Sequence, residues 1–168
     1  MSAAVQAPVA KSSNRRAPAA AIALTADQKR LVRESVRKLE PAFDLVGQLF
    51  FLKLYRLDPA FRDRFDGTPE TQGRKFMAAL KLAIISLNYE DGLAPTLKLL
   101  GIRHRQLGIK IRHYRMMTKA LLWTLEQSLE KRFTRETKDA WSALLTQITR
   151  TLSGGDAALL RSVGGTAA

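Results

Sequence analysis

His104 and His113 are the only imidazoles in the chain, and it has no cysteine. A zinc-thiolate site, a disulfide scaffold and a cysteine nucleophile are therefore excluded. No His/Glu cluster has the spacing of an all-protein zinc or di-iron site. There is no glycine-rich phosphate loop, and neither histidine stands in a recognisable Ser–His–Asp setting. Chemistry run by side chains alone is thus poorly supported, and the residue to weigh is His104. It follows Leu93, Leu97 and Leu100 by eleven, seven and four residues, which puts all four on one face of a helix. An imidazole there is more often a satisfied core histidine than a ligand. A helical His can, however, send its Nδ1–H to the carbonyl one turn back, here that of Leu100, and leave Nε2 free for a metal. Gly101 and Gly108 flank His104 and would permit a frayed or sharply turned segment beside a flat ligand.

The elements that must position this residue read as helices almost throughout. Thr25 to Gln28 is a capping-box pattern, and Leu31, Val32, Val36 and Leu39 then share a face before Pro41. A second helix carries Val46, Leu49, Phe50, Leu54 and Leu57. Asp58-Pro59 ends it and opens a short third helix. Thr68-Pro69 caps the next, which buries Phe76, Met77, Leu80, Ile84 and Leu87, and the chain breaks over Asn88 to Gly92. The helix of Leu93, Leu97 and Leu100 ends near Gly108. Two long helices close the body, about 112–130 with Met117, Leu121, Leu122 and Leu125 inward, and about 134–152 with Thr134 as cap and Trp141, Leu144, Leu145 and Ile148 inward. No β-type alternation and no solenoid repeat interrupts this pattern. The expected class is all-α, about seven helices around one core. Gly47 and Gly73 sit inside helices, where glycine costs about 1 kcal/mol relative to alanine. On two different helices they would let backbones nearly touch.

The 168 residues divide by composition. Residues 1–24 form an Ala/Pro-rich arm with Lys11, Arg15 and Arg16 and no acid, read as disordered, with a transit-like targeting segment as the other reading. Residues 153–168 are a Gly/Ala-rich tail read as flexible. The body, 25–152, is the domain. The whole chain carries a net charge of +13, of which the body holds +10. That excess points first to nucleic acid or an anionic surface, but no aromatic–basic interleaving or recognition helix supports a nucleic-acid module. No apolar run approaches the roughly 18–20 residues that span a bilayer.

Three segments together resemble the globins, most closely neuroglobin-like and single-domain bacterial haemoglobins. They are Asp58-Pro59-Ala60-Phe61-Arg62-Asp63-Arg64-Phe65, Gln72-Gly73-Arg74-Lys75-Phe76-Met77 and Arg103-His104-Arg105-Gln106-Leu107-Gly108-Ile109-Lys110. Lys119 to Glu126 and Ala140-Trp141 also look like that family, and the resemblance covers about 25–152. It implies a globin fold holding haem b. His104 would be the iron ligand, Phe65 the ring packed flat on the porphyrin, and Gln72 the distal residue. Phe51 and Phe76 would cover the distal face, and Leu100, Ile109, Tyr114 and Met117 would line the proximal side and haem edge. Lys75 would face a propionate, and Gly47 and Gly73 would form the family's close helix crossing. Two propionates would also neutralise part of the charge contributed by Arg74, Lys75, Arg103, Arg105, Lys110, Arg112 and Arg115.

The chain departs from the family in two places. Val36 stands where a Trp is common. Phe51 stands where many bacterial relatives have a Tyr, so a polarised gas ligand would keep one side-chain donor, the Gln72 amide. A hydrogen bond to a charged group is worth roughly 1.5–3 kcal/mol. Loss of the Tyr donor would then cost tenfold or more in retention. Glutamine is a poor iron ligand, so no internal six-coordinate state is expected. The expected role is reversible binding or transport of O2, CO or NO in the cytoplasm. NO dioxygenation or nitrite reduction is the enzymatic alternative. It would need a separate reductase, since no flavin domain is expected within this length. A gas sensor is a further alternative. Charge not neutralised by propionates would steer an acidic electron donor to the haem edge.

Overall fold

The computed structural model describes residues 24–87, 89 and 94–153. The basic arm ahead of them, Leu93 with most of the break after Leu87, and the Gly/Ala-rich tail lie outside the described residues. Six α-helices run in the order α1 (Ala26–Leu39), α2 (Phe43–Leu57), α3 (Pro69–Ser86), α4 (Ala94–Gln106), α5 (Ile111–Leu129) and α6 (Arg135–Leu152), with no strand among the described residues. The short third helix expected from the sequence is the 3-10 segment Pro59–Arg64. The Asp58 carboxylate accepts the Ala60 N–H, and Phe61, fully buried, anchors the segment. Six residues opened by a proline close too few backbone bonds to settle as an α-helix.

The starts are set by local chemistry. Thr25 Oγ accepts from the Gln28 backbone N–H at 3.1 Å, and Gln28 Oε1 accepts from that of Thr25 at 3.0 Å, so two free amides are satisfied reciprocally. Thr68 and Thr134 accept from the backbone N–H of Thr71 and Thr137 at 3.3 Å and so cap α3 and α6. Each hydroxyl replaces a bond that the first helical turn cannot make.

α1 packs on α6 and α2 on α3 and α5. Trp141, fully buried on α6, donates its indole N–H to Ser35 Oγ on α1 at 2.9 Å, and Ser35 donates to the Val32 carbonyl at 2.7 Å. Both polar groups are buried and both are partnered, as burial requires. Val36, the next residue of α1, is buried too. The expected contact of two helical glycines is present. A Cβ on Gly47 would lie 2.5 Å from the Gly73 carbonyl oxygen, and one on Gly73 would lie 2.5 Å from the Gly47 carbonyl carbon. No side chain fits there, so α2 and α3 cross backbone to backbone. Gly101 plays the same part for α4, where a Cβ would strike the Leu152 carbonyl at the end of α6.

Candidate functional site

α4 presents Leu97, Leu100 and His104 to the interior, with Leu97 and His104 buried and Leu100 half-buried. The helix ends in a turn that sets the path of residues 107–110. Gly108, at φ 70°, donates its N–H to the Arg105 carbonyl, and Ile109 donates to the His104 carbonyl, both at 2.9 Å. These two bonds satisfy carbonyls that the helix end leaves free. They draw Ile109, which is buried, against the histidine. The left-handed backbone is why a glycine stands at 108.

The partner of His104 Nδ1 differs from expectation. It is the Tyr114 hydroxyl on α5, at 3.3 Å, and not the Leu100 carbonyl. That carbonyl already has its helical amide, whereas a phenol buried on the facing helix must find a partner of its own. Burial, assisted by the Arg103 charge, pushes the His104 pKa down, and burial pushes that of Tyr114 up against the opposing effect of Arg105. The pair is thus a neutral imidazole against a neutral phenol. In the tautomer that donates Nδ1–H to Tyr114, Nε2 carries a lone pair, and Nε2 makes no hydrogen bond to any described residue.

A wall of rings comes from α2, α3 and the segment between them. Phe51, buried, meets Phe65 edge-on at 5.6 Å and Phe76 at 6.2 Å between centroids. Phe76 stacks on Phe50 at 4.3 Å, and Phe65 stacks on Phe61 at 6.2 Å. Phe61 touches the fully buried His113 at 5.1 Å. His113 precedes Tyr114 on α5, so one helix carries both the residue that meets the wall and the partner of His104. Five phenylalanine side chains in such contact form a dry, rigid surface. The Tyr55 hydroxyl, one turn beyond Phe51, is buried without a hydrogen-bond partner among the described residues.

Other residues singled out in the sequence sit less centrally. Gln72, half-buried in the first turn of α3, donates its amide to the Asp66 carbonyl, closing the Asp66–Thr68 turn. Lys75 is exposed on α3, and Met117 is half-buried against the core. Sequence reasoning gave no role to Arg64, which donates from its Nη1 to the Leu107 and Gly108 carbonyls at 3.1 and 3.2 Å. A guanidinium at the C-terminus of α4 is favourable and clamps the segment before α3 to the histidine helix. His113 likewise received no role, yet its Nδ1 accepts from the Lys110 backbone N–H at 2.9 Å at the start of α5.

The donor set limits what this arrangement can hold. No three His, Cys, Asp or Glu side chains converge on a metal site among the described residues. A metal here would take one protein ligand, His104, and draw the others from a group that brings its own. A planar iron porphyrin has that character, and it fits a buried neutral imidazole beside an aromatic wall.

A family model described as Globin matches residues 56–152. Over 123 residues the chain is 24% identical to a flavohemoprotein of Vibrio cholerae serotype O1, covering 71% of this chain and 31% of that protein. It is 25% identical over 139 residues to a flavohemoprotein of Bordetella parapertussis, covering 81% and 35%. It thus spans about a third of the length of the flavohemoproteins it matches. A neuroglobin of Tetraodon nigroviridis is 26% identical over 146 residues, covering 79% of this chain and 92% of that protein. Among solved structures, a hexacoordinated heme protein from an anhydrobiotic tardigrade superposes with a TM-score of 0.71 at 21% identity, covering 80% of this chain and 96% of that one. At that identity the likeness concerns the fold. No helix among the described residues is long and apolar enough to cross a membrane.

Proposed function

The chain belongs to the globin family, and from that premise we propose that it holds a haem b through Nε2 of His104 and binds O2 or another diatomic gas reversibly. The observation that carries this reading is the state of His104: buried, neutral, tied at Nδ1 to Tyr114, and with Nε2 free of described protein partners. When bound, the haem supplies iron able to coordinate a diatomic gas.

The chain supplies the surroundings. Tyr114 holds the imidazole ring in one orientation and one tautomer. Its neutral oxygen withdraws the Nδ1 proton less than a carboxylate would, so His104 stays an ordinary imidazole donor. Phe51, Phe65 and Phe76 keep the gas side dry. Leu100, Ile109 and Met117 would line the opposite side and the edge, and the exposed Lys75 ammonium would be available to a propionate. Gln72, whose amide is held by the Asp66 carbonyl, would supply the side-chain donor on release from that bond. Phe51, without a hydroxyl, adds no second donor.

A specific observation favours a second reading beside gas storage or transport. Two of the relatives are named flavohemoproteins, and the chain matches about a third of each. That supports NO dioxygenation or nitrite reduction at the same site, fed by a separate electron donor. Steady-state NO consumption with a reductase present separates the two readings: a single turnover with no re-reduction leaves the binding role.

The experiment for the site is one anaerobic absorption spectrum of the purified holoprotein before and after CO. The reading requires a five-coordinate high-spin ferrous form that shifts with CO. A chain purified and reconstituted with no haem spectrum contradicts it.

A further inference from the structure

Between Asp91 and Glu126 the chain carries seven Lys and Arg and no acid. The centre of this stretch is the corner where α4 turns into α5. Arg103, Arg105, Lys110 and Arg112 are all exposed there. Ile102 and Ile111 lie among them, 45% and 38% exposed. None of these four cations enters an ion pair with a described residue. Ion pairs among the described residues include those of Arg30 with Asp27 and Glu34 and of Lys81 with Glu40, away from the corner. These four exposed cations and two exposed isoleucines thus lie within residues 102–112, the mix of charged and apolar groups that a transient protein interface carries. A one-sign field also speeds encounter with a partner of the opposite sign.

The corner is rigid and close to the site. Gly108 and Ile109 donate to the Arg105 and His104 carbonyls, and Arg64 bonds the Leu107 and Gly108 carbonyls from the other side. His104 points inward from the last turn of α4, and Arg103 and Arg105 flank it, Arg105 donating to the Leu152 carbonyl at the end of α6 at 3.4 Å. A protein seated on this corner would lie directly behind the residue that holds the iron.

We propose that the α4–α5 corner docks a small acidic one-electron donor protein, which reduces ferric iron held by His104 to ferrous while itself losing one electron. The electron step rests on the haem reading of His104; the docking does not. An anionic bilayer is the weaker occupant. Neither exposed apolar side chain of the patch is aromatic, and the patch bends around a corner on two helices, whereas a membrane-surface helix presents one continuous face.

The test uses the full-length haem-loaded chain, the Arg103→Glu/Lys110→Glu variant, and a Lys131→Glu/Arg135→Glu variant with the same charge change at the far end, where α5 gives way to α6. A fluorophore-labelled acidic [2Fe–2S] ferredoxin is the probe, titrated by anisotropy, with reduction of the ferric protein followed by stopped flow. The corner variant should weaken ferredoxin binding about tenfold and slow reduction in parallel, and added salt should do the same to the parent chain. The Lys131→Glu/Arg135→Glu variant should stay close to the parent in binding, reduction and CO spectrum. Equal binding by all three proteins, or binding indifferent to salt, overturns the proposal. So does a corner variant that keeps ferredoxin but loses vesicles of phosphatidylglycerol and phosphatidylcholine, an outcome that assigns the corner to a bilayer. A parent chain without a haem spectrum defeats the haem reading instead, and the anisotropy titration still decides docking.

Discussion

The Tyr114 hydroxyl lies 3.3 Å from His104 Nδ1, across the turn that joins α4 to α5. The contact orients the ring proposed to hold iron, and a neutral oxygen leaves that ring less basic than a carboxylate would. Replacing Tyr114 by Phe should therefore free the imidazole to rotate while leaving it attached. In resonance Raman spectra of the ferrous protein the iron–histidine stretch should broaden or move to lower frequency, with CO affinity changed by less than about tenfold. An unchanged band would mean that Tyr114 only packs.

Gly73 is predicted to tolerate no side chain. In an ordinary helix, alanine for glycine would stabilise by about 1 kcal/mol. Here the added Cβ meets the Gly47 backbone at 2.5 Å, and overpacking costs about 1–3 kcal/mol. Gly73→Ala should lower the melting temperature by several degrees and weaken haem retention, since α2 and α3 carry the ring wall. A stability equal to the parent's, by denaturant titration, would contradict the close crossing.

Gln72 should matter to the gas and little to the fold. Its amide closes a turn on the Asp66 carbonyl, which a leucine cannot do, but the Thr68 cap of α3 remains. Gln72→Leu should speed O2 dissociation about tenfold or more, from loss of a hydrogen bond worth roughly 1.5–3 kcal/mol to a polarised ligand. CO, which is less polarised, should be affected less. Equal O2 dissociation rates would show that the amide stays with Asp66.

His113 should make the fold acid-sensitive. Its pKa is lowered by burial first, then by the Arg64, Arg112 and Lys110 charges, with Asp58 opposing. A histidine whose folded pKa lies below its unfolded value of about 6.5 binds more protons when unfolded. Its contribution is thus fully present above about pH 6.5 and is lost as pH falls below it. His113→Asn keeps an acceptor for the Lys110 N–H but does not titrate. His104 acts in the same direction in both proteins, so the difference isolates His113. Denaturant titrations of parent and variant should converge as pH drops from 7.5 to 5, and parallel curves would contradict this.

Much of the frame was legible because it is local. Thr25, Thr68 and Thr134 mark their helices by hydroxyls that cap amides three residues on, and the apolar spacing around His104 gave its face without tertiary information. Gly47 and Gly73 were legible for a different reason: two unfavourable residues in two good helices imply a gain in packing. What stayed hidden depends on distance in sequence or on rotamer. No spacing rule links His104 with a hydroxyl ten residues on across a turn, or Arg64 with carbonyls 43 and 44 residues away. Phe61 against His113 is likewise a meeting of separate segments. The position of Gln72 was readable, but its bond to the Asp66 carbonyl depends on a side-chain torsion that residue type leaves open.

The central claim is that His104 holds the iron, and the most direct measurement is imidazole rescue of a His104→Gly chain. The parent should give a five-coordinate high-spin ferrous spectrum. His104→Gly should retain haem poorly and lose that spectrum, and added imidazole should restore it by entering the space left behind. A His104→Gly chain that binds haem with the parent's affinity and spectrum, indifferent to imidazole, would contradict the account.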